Sequence, residues 1–372
     1  MHDSQPPGDH PDSTPGSEMR QDVITGHCAV IAPVRSLRPG GRAASTALSP
    51  SRDPFATGNE SETPSELFAC RHTDSSPDQP GWLLRVVPNR FPAVTGIDRA
   101  QTPGTNDAPP VSRDRSSLTH SFPFQGTHDV VVECADQRSQ WSDFDASEIA
   151  IVLEAWQRRT RQLRNHPSIM GVCIFRNEGP LAGASLRHSH SQIVGYTTVP
   201  QQIADRRERL RSFRKETGAD LVETVRTSET QNGTRIIFES DRFTVTAAFA
   251  PLSSGHLRIL PLPHVVRPFD DCDAETRCDL AVILKAAACV VQDVFGHATS
   301  YNVLLQQDVF GSPESAWFVD IVPRTSRRAG WELLTHIDIV SSLPEEFADR
   351  CRSAWPAYTH CSQSLPTGYA WT

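Results

Sequence analysis

The chain has 372 residues, of which 38% are hydrophobic and 22% are charged, and its formal net charge is −8. This length and balance are typical of a soluble globular protein with two domains or one large duplicated domain. The negative charge argues against a nucleic-acid partner, and no apolar run is long enough to span a membrane.

Both ends of the chain are predicted to be tails. Residues 1–22 begin with MHDSQPPGDHPDSTPGSE, which is polar and proline-rich, cannot bury an apolar face and lacks the regions of a secretory signal. Residues 361–372 form the second predicted tail. The nine cysteines are odd in number and include no C-x-x-C pair, which predicts free thiols and a cytoplasmic location.

The first half of the chain contains one strong helical pattern. Residues 145–167 predict a helix, because Asp145 can cap it, Glu148 completes a capping box and apolar residues follow at helical spacing. Runs of apolar and β-branched residues predict strands on both sides of this helix, at 81–94, 128–134, 169–175 and 187–195.

The second half repeats this order of elements. A helix is predicted at 273–296, with strands at 255–262, 300–307 and 316–323. Such repetition indicates an internal duplication. The predicted fold class is therefore α+β: a duplicated unit with a mostly antiparallel sheet and packed helices. We expect the duplicated domains at 23–198 and 199–360, with a charged surface helix at 201–218.

Three polar side chains alternate along the strand predicted at 187–195. His188, His190 and Gln192 would lie on one face, since successive residues of a strand point to opposite faces. Ser189 and Ser191 would point the other way. Two imidazoles and a carboxamide in a row, ahead of an apolar run, form a candidate site.

The segment FRNEGPLAGASLRHSHSQIV (175–194) resembles the galactose-1-phosphate uridylyltransferases of the histidine-triad superfamily, and especially the branch that includes the ADP-glucose phosphorylases. Ser189 replaces the proline that usually separates the two histidines. The resemblance covers about residues 23–354 and implies two histidine-triad-like half-barrels. Four more segments are similar to the family in the same order: IAPVRSLRP (31–39), RVVPNRFPAV (85–94), GTHDVVVE (126–133) and VDIVPRTSRRAGWELLT (319–335).

This resemblance implies a double displacement. His190 matches the nucleophile, which attacks the α-phosphorus of a nucleoside-diphosphate sugar and releases sugar 1-phosphate; a second phosphate then takes the nucleotidyl group. The family holds the other ring nitrogen through a backbone carbonyl near the first histidine, here His188. The resemblance implies that Gln192 donates a hydrogen bond to a phosphate oxygen.

The resemblance also implies binding roles for residues outside the histidine motif. The sugar phosphate would be handled across the subunit boundary of a homodimer, by Arg328, Gly330 and Glu332. The implied nucleotide- and phosphate-binding residues are Arg35, Arg38, Asn89, Asn177, Gly183, Ala184 and Ser185.

The family's zinc site is not kept in this sequence. DPFATGNE (53–60) corresponds to the family's C-P-F-C-x-G-x-E, with Asp53 and Ala56 at the cysteine positions. The family's later histidine ligand falls near Gln137, so only His188 remains of the four. Ala316 likewise stands where some members have a histidine of a second metal site. One imidazole does not bind tetrahedral zinc tightly, so we predict that the protein holds no metal or other cofactor.

Three functions are compatible with these residues. The first is uridylyl transfer between a UDP-hexose and a hexose 1-phosphate. The second is phosphorolysis of an ADP-sugar or a dinucleoside polyphosphate by inorganic phosphate, which Ser191 slightly favours because uridylyltransferases often have glycine there. The third is nucleotide binding without turnover, suggested by the lost metal ligands and opposed by the retention of His190 and Gln192.

Overall fold

The structure is a computed structural model that describes residues 17–33, 35, 53–97, 124–265, 267–313, 317–356 and 361–372. Within these ranges it contains both helices and a large sheet, which confirms the predicted α+β class. The α-helices are α1 (Ala146–Arg164), α2 (Gln201–Thr217), α3 (Leu221–Asn232), α4 (Ala274–Phe295), α5 (Gly330–Thr335) and α6 (Pro344–Ala354). The strands are β1 (Glu18–Gln21), β2 (Cys28–Ile31), β3 (Phe68–His72), β4 (Trp82–Pro88), β5 (Thr95–Gly96), β6 (Gln125–Val132), β7 (Gly171–Glu178), β8 (His190–Tyr196), β9 (Ile236–Glu239), β10 (Phe243–Ala247), β11 (Leu257–Pro261), β12 (Tyr301–Gln306), β13 (Phe318–Pro323), β14 (Asp338–Val340) and β15 (Tyr369–Trp371).

One large sheet joins the two halves of the chain. Its strands follow the order β15–β3–β4–β6–β8–β7–β12–β13–β11–β10–β9, with β5 beside β6. Every pair along this path is antiparallel, as predicted. A second, small sheet has the order β1–β2–β14.

The strand order displays the duplication. Outward from the central β7–β12 pair, one half reads β7, β8, β6, β4 and the other reads β12, β13, β11, β10. Helix α1 connects β6 to β7, α4 connects β11 to β12, and the two helices pack against each other. Because the sheet runs through both halves, the division into domains at 23–198 and 199–360 stays a prediction.

The two long helices begin where the sequence predicts. The backbone N–H of Asp145 donates to the Glu148 carboxylate at 2.8 Å, and the Asp273 side chain accepts from the Thr276 N–H at 2.8 Å. Such caps satisfy backbone groups that a helix end leaves unpaired. All nine cysteines are free thiols. Among the described helices, none combines the length and the hydropathy needed to cross a bilayer.

Both predicted tails are wrong where the structure describes them. In the first, Glu18–Gln21 forms β1 on the edge of the small sheet. In the second, Tyr369–Trp371 forms β15 and pairs with β3. These strands are too short to show an alternating pattern, and tertiary pairing decides their conformation. Residues 1–16 lie outside the described residues.

A buried charged network fastens the N-terminal strand to the second half. Arg258 pairs with Asp22 and with Asp320, the latter at 2.7 Å, and all three side chains are buried. Burial opposes ionisation of Asp22, yet the Arg258 guanidinium holds the pKa of this carboxyl below its ordinary value. Because the pKa is depressed on folding, the ion pair stabilises the protein above the ordinary aspartate pKa and loses this contribution as the pH falls further.

We expect Asp22→Asn to lower the free energy of unfolding by about 2 kcal/mol at pH 7, since it removes a charged hydrogen bond to buried Arg258. Urea denaturation measures this change. Glu18→Gln, which removes an exposed ion pair to Arg20 on the same strand, should cost less than about 0.5 kcal/mol. Equal losses in the two variants would contradict the role of Asp22, and its effect should shrink below about pH 4.

Candidate active site

The histidine motif lies at the start of a central strand. His190 is the first residue of β8, between β6 and β7, and His188 precedes the strand by two residues. The Phe55 ring packs against both imidazoles, with centroid distances of 6.0 Å to His188 and 5.4 Å to His190. The two rings therefore lie next to each other against Phe55, although His188 lies before the strand and not within it as predicted.

The His190 ring is fixed in one tautomer. Its Nδ1 lies 2.8 Å from the His188 carbonyl oxygen, and a carbonyl can only accept, so Nδ1 carries the proton and Nε2 keeps its lone pair. Burial lowers the pKa of His190 below its ordinary value, although the bond to the His188 carbonyl opposes this. The ring is therefore a neutral imidazole with a nucleophilic Nε2 near pH 7.

Gln192 is held by His128, a residue that the sequence analysis did not single out. The Ala93 N–H donates to His128 Nδ1 at 3.0 Å, so the neutral His128 ring carries its proton on Nε2. That nitrogen lies 2.7 Å from Gln192 Oε1 and 3.1 Å from the side-chain nitrogen of Asn89. The bond from His128 occupies the Gln192 amide oxygen and leaves its NH₂ group to donate elsewhere.

A cavity of about 340 Å³ opens beside His190. Its walls come from the loop after β6, the end of β7, the segment 186–190 and the residues just before β12. This volume is within the range of sites for small organic ligands. The nucleophile candidate therefore faces a space that can hold part of a nucleotide sugar.

The buried side of this cavity is built around Arg176. Its guanidinium donates to Glu133 and to the Ser189 hydroxyl, both at 2.9 Å, and pairs with Glu178. The Ser189 hydroxyl in turn donates to Glu133 at 2.6 Å. Burial raises the pKa of Glu178, although Arg176 opposes this. The serine in place of the usual proline is thus part of a charged network that proline could not join.

Asn177 and the loop after it partly reach the cavity. Asn177 lines it, and the Asn177 amide oxygen accepts from the side-chain nitrogen of Asn302 at 2.9 Å. Gly183 adopts a φ of 94°, which favours glycine. Ala184 is buried and Ser185 is exposed, and neither is among the residues that line the cavity. The predicted phosphate contacts of this loop stay predictions.

The described residues among the predicted cationic and sugar-phosphate groups do not line this cavity. Arg35 is exposed and does not line it, and Arg38 lies outside the described residues. Arg328 pairs with Asp338 at 2.7 Å. Glu332 accepts from the Ala329 N–H at 3.0 Å, at the start of α5, whose first residue is Gly330. Among the described residues, those of α5 do not line the cavity of their own chain.

The residues at the family's zinc position do not fit a zinc ion. Asp53 Oδ2 lies 2.8 Å from His188 Nδ1, and His188 Nε2 lies 2.8 Å from the Cys134 carbonyl oxygen. Tetrahedral bonds of about 2 Å would separate two ligand atoms by about 3.3 Å. The Asp53 contact is too short for this, and Ala56 offers no ligand. Ala316 lies outside the described residues.

A sulfur ligand does not change this conclusion. The Cys134 thiol lies 3.8 Å from His188 Nε2, but that nitrogen already faces the Cys134 carbonyl oxygen at 2.8 Å. Within the described ranges there is no group of three or more His, Cys, Asp or Glu side chains that could hold a metal ion. Absence of metal from the protein itself stays a prediction.

Comparison with known proteins agrees with this geometry. Residues 85–200 match the family model for the N-terminal domain of galactose-1-phosphate uridyl transferase. Over 340 residues the chain is 30% identical to ADP-glucose phosphorylase of Arabidopsis thaliana, which covers 89% of this chain and 91% of that protein. The chain belongs to the galactose-1-phosphate uridylyltransferase family.

A solved structure of the same relative and one further relative extend this finding. The crystal structure of the Arabidopsis thaliana ADP-glucose phosphorylase with bound ADP-glucose covers 90% of this chain and 98% of that one, with 28% identity and a TM-score of 0.73. Galactose-1-phosphate uridylyltransferase of Thermotoga maritima is 24% identical over 235 residues, 63% of this chain and 70% of that protein. As a member of the galactose-1-phosphate uridylyltransferase family, the protein is a nucleotidyltransferase.

We expect the His190 ring to titrate below its ordinary pKa of about 6.5, because burial disfavours the imidazolium. Histidine ring NMR measures the midpoint, with the resonance assigned by its loss in His190→Asn and a urea-denatured sample as reference. A midpoint at or above that of the denatured chain would contradict the neutral, buried ring.

Proposed function

We propose that the protein transfers an adenylyl group from an ADP-sugar to inorganic phosphate through an adenylyl-His190 intermediate. The observation that carries this proposal is the bond between His190 Nδ1 and the His188 carbonyl. It orients the lone pair on Nε2 without an added base, in a ring that borders the cavity.

The proposed reaction has two displacements. In the first, His190 Nε2 forms a bond to the α-phosphorus while the bond from phosphorus to the bridging oxygen breaks, and sugar 1-phosphate leaves with that electron pair. In the second, an oxygen of inorganic phosphate forms the new bond to phosphorus and the bond to Nε2 breaks. The proton on Nδ1 stays in place throughout, and the products are sugar 1-phosphate and ADP.

Gln192 supplies the hydrogen bond that the phosphoryl oxygens need. Because His128 occupies its amide oxygen, the NH₂ group is oriented to donate to a non-bridging oxygen, whose charge grows in the transition state. A carboxamide cannot give up a proton as an imidazole can, so it does not help water to take the nucleotidyl group. This favours transfer over hydrolysis.

The adenylyl group is supported by the degree of identity. The chain is 30% identical to the Arabidopsis thaliana ADP-glucose phosphorylase over 340 residues, and 24% identical to the Thermotoga maritima uridylyltransferase over 235 residues. Ser191 gives no support, since its hydroxyl accepts from the Trp156 indole N–H at 2.8 Å in the core. Uridylyl transfer between a UDP-hexose and a hexose 1-phosphate is the second candidate, favoured by the family-model match.

We also propose a cytoplasmic homodimer in which α5 of the partner subunit completes the sugar-phosphate site. The support is an exposed apolar surface on α5, where Trp331, Leu333 and Leu334 are 48%, 67% and 83% exposed. A surface of this kind marks an interaction site. It would also explain why Arg328 and Glu332 lie away from the cavity of their own subunit.

We expect the intact mass of the protein to increase by one adenylyl group after incubation with ADP-glucose, and His190→Asn to abolish the adduct while it retains the circular dichroism of the wild type. UDP-glucose is tested in parallel, and a uridylyl adduct alone would select the second candidate. Binding of either nucleotide without an adduct would instead indicate a nucleotide-binding protein without turnover.

We expect Gln192→Ala to slow single-turnover adduct formation by about 10²–10³-fold, the effect of one lost phosphate-directed donor. His128→Ala should slow it by about 10-fold, as is usual when a supporting hydrogen bond is lost. The double variant should be no slower than Gln192→Ala alone, because His128 acts through Gln192. Multiplied effects in the double variant would show that His128 has an independent role.

A further inference from the structure

Asp53 connects the loop 53–60 to the histidine motif. Its Oδ1 accepts from the Phe55 N–H at 2.9 Å, and its Oδ2 lies 2.8 Å from His188 Nδ1. The Asp53 carbonyl also accepts from the Asn59 side chain at 2.8 Å. Both carboxylate oxygens are therefore used, one within the loop and one toward the imidazole.

The rest of this loop is attached around the same histidines. The Thr57 hydroxyl donates to the Ala135 carbonyl at 2.9 Å, and the Glu60 carboxylate accepts from the Trp82 indole N–H at 2.8 Å. Phe55 covers the rings of His188 and His190. Of these contacts, the one between Asp53 and His188 is the polar contact that reaches a side chain of the histidine motif.

The His188 ring is held from both sides. Its two nitrogens face oxygen acceptors, the Asp53 carboxylate and the Cys134 carbonyl. The ring therefore links the loop 53–60 to the segment that follows β6. The His188 carbonyl accepts from His190 Nδ1, so the segment that this ring anchors also orients the nucleophile.

We propose that Asp53 is a positioning residue: its direct hydrogen-bonding contact with His188 anchors the loop 53–60 and the nucleophile segment where related enzymes use zinc. Asp53 contacts no reacting atom in this proposal and acts through His188. The part that concerns the rate rests on the proposed nucleotidyl transfer by His190. The part that concerns anchoring of the loop does not depend on any activity.

The physical argument is the strength of a buried charge-assisted hydrogen bond. His188 is 2% exposed and the Asp53 side chain 17% exposed. Hydrogen bonds to a carboxylate are short and about twice as strong as neutral ones, and removal of the carboxylate leaves a buried imidazole nitrogen without its partner. Asp53→Ala should therefore free the loop, whereas Asp53→Asn keeps the Phe55 cap and can donate its amide N–H to His188 Nδ1.

Hydrogen exchange tests the anchoring directly. In Asp53→Ala we expect backbone amides of 53–60 to exchange at least about 10-fold faster, and Asp53→Asn should lie between this variant and the wild type. Asp74→Ala is the matched control, because Asp74 lies 3.6 Å from His72 with its side chain 88% exposed; it should change nothing. Unchanged exchange in Asp53→Ala would overturn the proposal, whether or not the wild type forms an adduct.

Single-turnover kinetics test the positioning. We expect Asp53→Ala to slow adduct formation at saturating ADP-glucose by about 10- to 100-fold, with less than about a 3-fold change in the concentration needed for half-saturation. Asp53→Asn should recover most of the rate. A wild-type rate in Asp53→Ala beside a normal wild-type adduct would overturn the positioning role. No adduct in the wild type with either nucleotide sugar would instead reject the proposed function.

Elemental analysis tests the relation to zinc. The wild type, purified from zinc-supplemented medium, should contain well under one zinc per chain, and treatment with a chelator should leave its loop exchange unchanged. One zinc per chain, with faster exchange at 53–60 after its removal, would show that a metal holds the loop and would overturn the proposal.

Discussion

The hydrogen bond from His190 Nδ1 to the His188 carbonyl is the interaction on which the candidate site depends. It exists because β8 begins at His190, which leaves the carbonyl of residue 188 outside the sheet and available to a side chain. A neutral imidazole has one proton, so the bond that holds Nδ1 also decides that Nε2 keeps the lone pair that the proposed transfer uses. In our proposals, Asp53 fixes the segment that contains this carbonyl, and Gln192 presents a donor to the phosphoryl group that Nε2 attacks.

The second half of the chain repeats the strand arrangement of the first half, but it has no histidine at the position of His190. Phe175 and Leu304 pair with each other across the β7–β12 junction. Gln192 pairs with Phe175, and Asp320 pairs with Leu304, so Gln192 and Asp320 are counterparts. Two residues earlier on the strand, Phe318 stands where the first half has His190.

The histidine that supports Gln192 also has a counterpart, because His256 lies 3.0 Å from Asp320. In the second half, however, Arg258 fills the position beside Asp320 and closes it into a buried ion pair. In the first half, this arrangement leaves the NH₂ group of Gln192 available as a donor. In the second half, the same positions form the buried ion pair that holds the N-terminal strand.

Local sequence patterns predicted those elements whose conformation depends on residues that are neighbours in the chain. Helix α1 follows from its capping residues and apolar spacing, and the strand predicted at 187–195 is present as β8, which begins at His190. The contacts that complete the site join residues far apart in the chain: His128 meets Gln192, and Asp53 meets His188, 135 residues away. They depend on strand register and on the path of a loop, which a single sequence does not specify. Strands β1 and β15 were missed for the same reason, since each is defined by its partner strand.

The Asp53–His188 contact would also explain why the other residues at the family's zinc position have side chains that are not zinc ligands. A metal needs its whole ligand set, because two or three ligands do not offset the desolvation and ordering that a structural zinc site requires. A hydrogen-bonded ion pair needs two groups only, and the second nitrogen of His188 is satisfied by a backbone carbonyl. Once a carboxylate contacts the imidazole directly, residues 56 and 137 have no ion to bind. Position 56 can then be alanine in a tight turn, and Gln137 can line the cavity. We therefore propose that the carboxylate of residue 53 lets this loop be anchored without a metal.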